Sequence, residues 1–125
     1  LRSHLGFLHD RSILVEIYLW EGVSDQAWQE AQAGGCAQRL WLELAQHRQA
    51  DYPADVLPIY QREVESLIQQ TNNKAYASAI EFLQNVHQLM VRLDQVAEFT
   101  AYCDHLHQTY RTKRNFISLL KKQSW

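Results

Sequence analysis

The side chains best spaced for chemistry lie in the run Cys103-Asp104-His105-Leu106-His107. Cys103 and His107 are four residues apart, so on a helix they share a face, as two ligands of one Zn²⁺ must. A third and a fourth ligand have to come from elsewhere, and His87 and Cys36 are the donors available. Cys103 also falls on an apolar stripe, where a lone thiol is ordinary core. No metal ligand is therefore assigned, and no cofactor is expected.

A second candidate is electrostatic. Residues 1–110 carry all fourteen acids against seven basic residues, whereas residues 111–125 carry Arg111, Lys113, Arg114, Lys121 and Lys122 with no acid. Five cations in fifteen residues attract nucleic acid or an acidic partner, and Phe116 and Trp125 beside them offer faces on which bases stack. The structural alternative packs Phe116 inward and sets Lys121 and Lys122 against the negative end of the last helix dipole. The acidic balance of the remaining chain opposes a nucleic-acid backbone. Asn72 and Asn73 form a third candidate, since paired amides can grip a peptide backbone; capping of a helix is the simpler reading. Four tryptophans and six tyrosines could anchor a peptide, but Trp28 and Trp41 are expected between helices, with Trp20 and Trp125 exposed.

Nothing in the chain signals catalysis. There is no Gly-rich phosphate loop, no HExxH, no nucleophile elbow and no Ser/His/Asp order. Glu63 and Glu65 are two apart on a helix and do not face each other. The expectation is a protein without enzymatic activity.

The elements that must position these groups read as helices. Only four Gly and two Pro occur in 125 residues, which disfavours a many-turned β fold, and Ala, Leu, Gln and Glu favour helix. The chain is organised around residues 51–93, two long amphipathic helices meeting at Thr71-Asn72-Asn73. The first predicted helix, 1–21, turns Leu5, Leu8, Ile13, Leu14, Ile17 and Tyr18 inward, with Asp10 or Ser12 capping a break and Gly22 ending it in left-handed geometry. A short second helix follows, capped by Ser24 or Asp25, carrying Ala27, Trp28 and Ala31, and stopped by Gly34-Gly35. The third spans 37–49 with Leu40, Trp41, Leu44 and Ala45 inward.

For the fourth helix two starts are open. With Asp55 as N-cap, Pro58 lies in the tolerant first turn; with Pro53 leading, Pro58 should kink the helix. Its stripe is Leu57, Tyr60, Val64, Leu67 and Ile68. The fifth carries Tyr76, Ile80, Leu83, Val86, Met90 and Leu93, with Asp94 taking a left-handed stop. The sixth places Val96, Phe99, Cys103, Leu106 and Tyr110 on one face. The last, 114–122, turns Phe116, Ile117, Leu119 and Leu120 inward. About seven helices with short connections predict an all-α fold of stacked antiparallel hairpins, a tetratricopeptide-like superhelix forming a single domain over 1–125. Its concave surface would be lined by the first helix of each hairpin.

The strings LWEGVSDQAWQEAQAGGC (Leu19 to Cys36), WLELA, DYPADVLPIY, QTNNKAY and YRTKRNFISLL occur in that order, and together they resemble the C-terminal region of bacterial SWIM zinc-finger proteins across nearly the whole chain. The resemblance implies a helical-repeat scaffold joined to a zinc-binding module outside this chain. That family's finger uses a CxC…CxH pattern; no CxC occurs here, so no ligand is carried over. A start at Leu1, in mid-pattern, is read as a fragment of a longer protein. The expected function is a non-enzymatic scaffold for protein–protein or intramolecular interactions, its partner another protein or the N-terminal part of its own parent chain. The alternative is an accessory nucleic-acid-binding domain using the basic C-terminal helix. Two distant cysteines and no membrane-length apolar run point to the cytoplasm.

Overall fold

In a computed structural model, residues 10–125 are described. Among them are seven helices and no strand, an all-α fold. The chain divides into two compact units, one reaching to Asp51 and the other running from Tyr52 to Trp125.

The first unit contains α1 (Ser12–Trp20), α2 (Ser24–Gly34) and α3 (Gln38–Arg48). Its core joins Val15 and Leu19 of α1, Ala27 and Ala31 of α2, and Leu40 and Leu44 of α3. The two alanines have no bulk beyond Cβ, so α1 and α2 pack backbone-close. Gly22 ends α1 at φ 81°. Its N–H donates to the Leu19 carbonyl and the Val23 N–H to the Tyr18 carbonyl, the paired bonds of a Schellman stop.

The expected inward face of α1 needs correction. Ile13, Leu14 and Ile17 are exposed, and Val15 and Leu19 are buried instead. The helix is apolar on several sides, so periodicity could not choose the face; the alanines opposite Val15 and Leu19 choose it. Leu5 and Leu8 lie outside the described residues. The helix starts at Ser12, whose N–H donates to the Asp10 carboxylate and whose hydroxyl accepts from the Ala37 N–H. Neither Ser24 nor Asp25 caps α2. Val23 holds the cap position without a side-chain bond, and the Asp25 carboxylate accepts from Arg48.

The second unit contains α4 (Pro53–Gln69), α5 (Asn73–Arg92), α6 (Val96–Thr109) and α7 (Arg114–Lys121). α5 is its axis and packs against the other three helices. Ala75, Tyr76, Ala79, Ile80, Leu83, Val86, Leu89 and Met90 bury a broad stripe along it. Tyr60 of α4 meets Phe82, Phe99 of α6 meets His87, and Phe116 of α7 meets Tyr76. Phe116, fully buried, is therefore core. Val96, expected inward, is exposed, since α6 buries only Phe99 and Leu106 deeply.

α4 begins at Pro53 and continues through Pro58, so the later start at Asp55 is not taken. Pro58 has no N–H for the Ala54 carbonyl. Both residues are exposed, and water can satisfy that oxygen. α4 and α5 form an antiparallel hairpin, whereas α5 and α7 run parallel: Asn73 pairs with Asn115, Tyr76 with Phe116, and Gln84 with Gln123. Tyr102 and Tyr110 join α6 to α4 through Gln61 and Glu65.

Candidate functional site

The turn between α4 and α5 shows what the amide pair does. Thr71 sits at φ 57°, unusual for a β-branched residue. Its hydroxyl donates to the Gln69 carbonyl and accepts from the Lys113 ammonium at 2.7 Å. Asn72 is the N-cap of α5, its Oδ1 accepting from the Ala75 N–H at 2.8 Å. Asn73 is the first helical residue. Its Oδ1 accepts from Nδ2 of Asn115 at 3.0 Å, an inter-helix contact rather than a cap.

That contact forms one end of a shallow recess of about 340 Å³ between α5 and α7, lined by Asn73, Ala77, Asn115, Ser118 and Leu119. A second recess of about 310 Å³ is lined by Arg111, Arg114, Ile117, Ser118 and Lys121. Ser118 borders both, so the two make one continuous surface. On α7, Arg114, Ser118 and Lys121 follow i, i+4, i+7 spacing and share a face; Arg111 joins them from the preceding turn.

The structure thus separates the five C-terminal cations. Arg111, Arg114 and Lys121 line one recess. Lys113 is occupied by Thr71, and Lys122 is the exposed C-cap of α7. Among the described residues, Arg111, Arg114, Lys121 and Lys122 make no ion pair with a carboxylate. Arg48, in the first unit, contrasts with them. It is buried, bonds Asp25 at 2.9 Å and stacks 4.6 Å above the Trp28 ring, while Trp28 meets Trp41 edge-to-face at 5.7 Å. Those groups hold α2 to α3.

Asn115 and Ser118 escaped the sequence reading. Their signal was spacing: each lies on α7 within one turn of a basic residue, but polar helix positions have no mark until the packed face is known. Among the described residues, no three His, Cys, Asp or Glu side chains gather around a common point. Cys103 is half-buried on α6, and burial, with a lesser contribution from Asp104, pushes its thiol up to about 11. His87 packs against Phe99 and Trp125. Among the described residues, no exposed aromatic lines the recesses; Trp20 and Trp125 are exposed elsewhere. No helix of the described residues is long and apolar enough to cross a membrane.

Comparison with protein-family models, with curated proteins and with solved structures returned no match.

Proposed function

We propose that this chain is a non-enzymatic helical scaffold that binds a protein, either a separate partner or the N-terminal part of its own parent chain, through the α5–α7 surface of its second unit. The observation that carries this reading is the continuity of that surface. An inter-helix amide pair passes through Ser118 into three cations that, among the described residues, no carboxylate neutralises. These groups supply hydrogen bonds and positive charge; among the described residues, no carboxylate, histidine or cysteine lines the two recesses. The packing of α6 and α7 on α5 of the α4–α5 hairpin, with Tyr102 and Tyr110 reaching α4, supports a tetratricopeptide-like stack. On that reading the contact surface uses the second helix of each hairpin, not the first. The SWIM resemblance makes the zinc-binding module of such a parent chain the first partner to test.

A photo-crosslinking phenylalanine at Ser118, with the same residue at exposed Gln88 as control, tests the scaffold. Protein adducts specific to position 118 are expected. Equal labelling at both positions, or none at 118, overturns the reading.

The unpaired cations favour one alternative, an accessory nucleic-acid domain. Fluorescence anisotropy with an oligonucleotide decides it, because phosphate contacts must weaken steeply with salt. Absence of binding at low salt removes it.

A further inference from the structure

We infer that the occupant of the α5–α7 surface is an extended, carboxylate-rich peptide segment, its backbone against Asn73 and Asn115 and its acids on Arg111, Arg114 and Lys121. This rests on the scaffold reading and specifies its ligand.

The amide pair leaves complementary groups available. Asn115 Nδ2 bonds Asn73 Oδ1, which leaves the Asn73 amide N–H groups and the Asn115 carbonyl oxygen for a ligand. A donor and an acceptor together match the C=O and N–H that an extended backbone presents. A DNA backbone carries phosphate acceptors but no donor for the Asn115 oxygen.

The three cations line one recess but spring from well-separated backbone positions. Arg114 and Lys121 are seven residues apart on α7, about 10 Å at the helical rise. In an extended strand, side chains on one side recur at about 7 and 13 Å, within reach of flexible Arg and Lys stems. Attachment points that far apart allow the cations to meet separate carboxylates. Ile117 and Leu119, half-buried between the polar positions, give an apolar ledge for intervening residues. Glu81, one turn beyond Ala77 on α5 and exposed, ends the stretch that tolerates an anion. A long polyanion would also meet the acidic balance of residues 52–110, seven acids against three basic residues.

The test uses the full chain and three fluorescein-labelled probes, by anisotropy at 50 and 200 mM salt: a ten-residue peptide of alternating Glu and Val, its Gln counterpart, and a twelve-nucleotide oligo-deoxythymidine. The Glu peptide should bind at least tenfold more tightly than the Gln peptide and more tightly than the oligonucleotide. Arg114→Ala with Lys121→Ala should abolish that preference. Asn73→Ala with Asn115→Ala should weaken the Glu peptide severalfold while leaving the circular dichroism spectrum unchanged. Equal affinity for the Glu and Gln peptides overturns the inference. So does tighter oligonucleotide binding that the amide variant does not alter. A protein crosslinked at Ser118 that contacts it through a segment without acids would sink this inference and keep the scaffold.

Discussion

Tyr110, directly after α6, donates a 2.8 Å hydrogen bond to Oε1 of Glu65 on α4, and Gln69 donates to the same phenol oxygen at 3.4 Å. Burial is the main cause that raises the Tyr110 pKa; the Gln69 bond opposes it and Glu65 adds to it. Tyr110→Phe keeps the ring and loses the bond. It should lower stability by about 1 kcal/mol, the usual net value of a hydrogen bond. Urea denaturation should show a lower midpoint with unchanged slope. Glu65→Gln retains an acceptor and should cost less.

Asn72→Ala removes the side-chain acceptor that caps α5 and should destabilise by about 1 kcal/mol. Asn73→Ala, one residue later, removes only an exposed contact and should stay within about 0.5 kcal/mol of the parent. Thermal melts of the two variants check the contrast. Equal losses would mean that both amides cap.

Asp94 ends α5 at φ 58°. The Gln95 N–H donates to the Met90 carbonyl and the Asp94 N–H to the Val91 carbonyl, so Asp94 holds the position that glycine favours. Asp94→Gly relieves left-handed strain but loosens the unfolded chain. The net gain should be about 0.5 kcal/mol, whereas Asp94→Val should be clearly destabilising.

The Cys103 thiol, raised from its ordinary 9.0 to about 11, favours the protonated form in the folded protein. Its contribution to stability is full below pH 9 and lost as pH rises from 9 to about 11. Denaturation midpoints should fall across that window, and Cys103→Ala should flatten the fall. Alkylation of Cys103 at pH 8 should be slow until denaturant is added.

In the first unit, the Arg48 side chain is 8% exposed and that of Asp25 79%. Asp25→Ala removes a solvated partner and should cost less than about 1 kcal/mol. Arg48→Ala also removes the stem and the Trp28 stacking, and should cost about 2 kcal/mol. Arg48→Lys should not restore it fully, since an ammonium lacks the planar stacking face.

Helix content was legible because capping and punctuation residues sit where backbone geometry needs them: Gly22, Asn72 and Asp94 each mark a real terminus. The inward face of α1 was not, since Ile13, Leu14 and Ile17 fit the helical period as well as Val15 and Leu19 do. Only the small alanines across from it break the tie. The basic run was visible in composition, but not the division of labour within it. Lys113 is drawn away by Thr71, 42 positions earlier, and Asn115 acquires meaning only from Asn73, also 42 positions earlier. Such pairings depend on α5 and α7 running parallel, which no local pattern encodes.

That parallel run has a thermodynamic consequence. Two helix N-termini, each equivalent to about half a positive charge, meet at Asn73 and Asn115 near Arg111 and Arg114, so this end of the unit is electropositive. An anionic partner settled there would act as a folding ligand. At a hundredfold excess over its dissociation constant it would add about 2.7 kcal/mol to stability. Affinity and foldedness would then rise together, and the melting temperature would itself report occupancy.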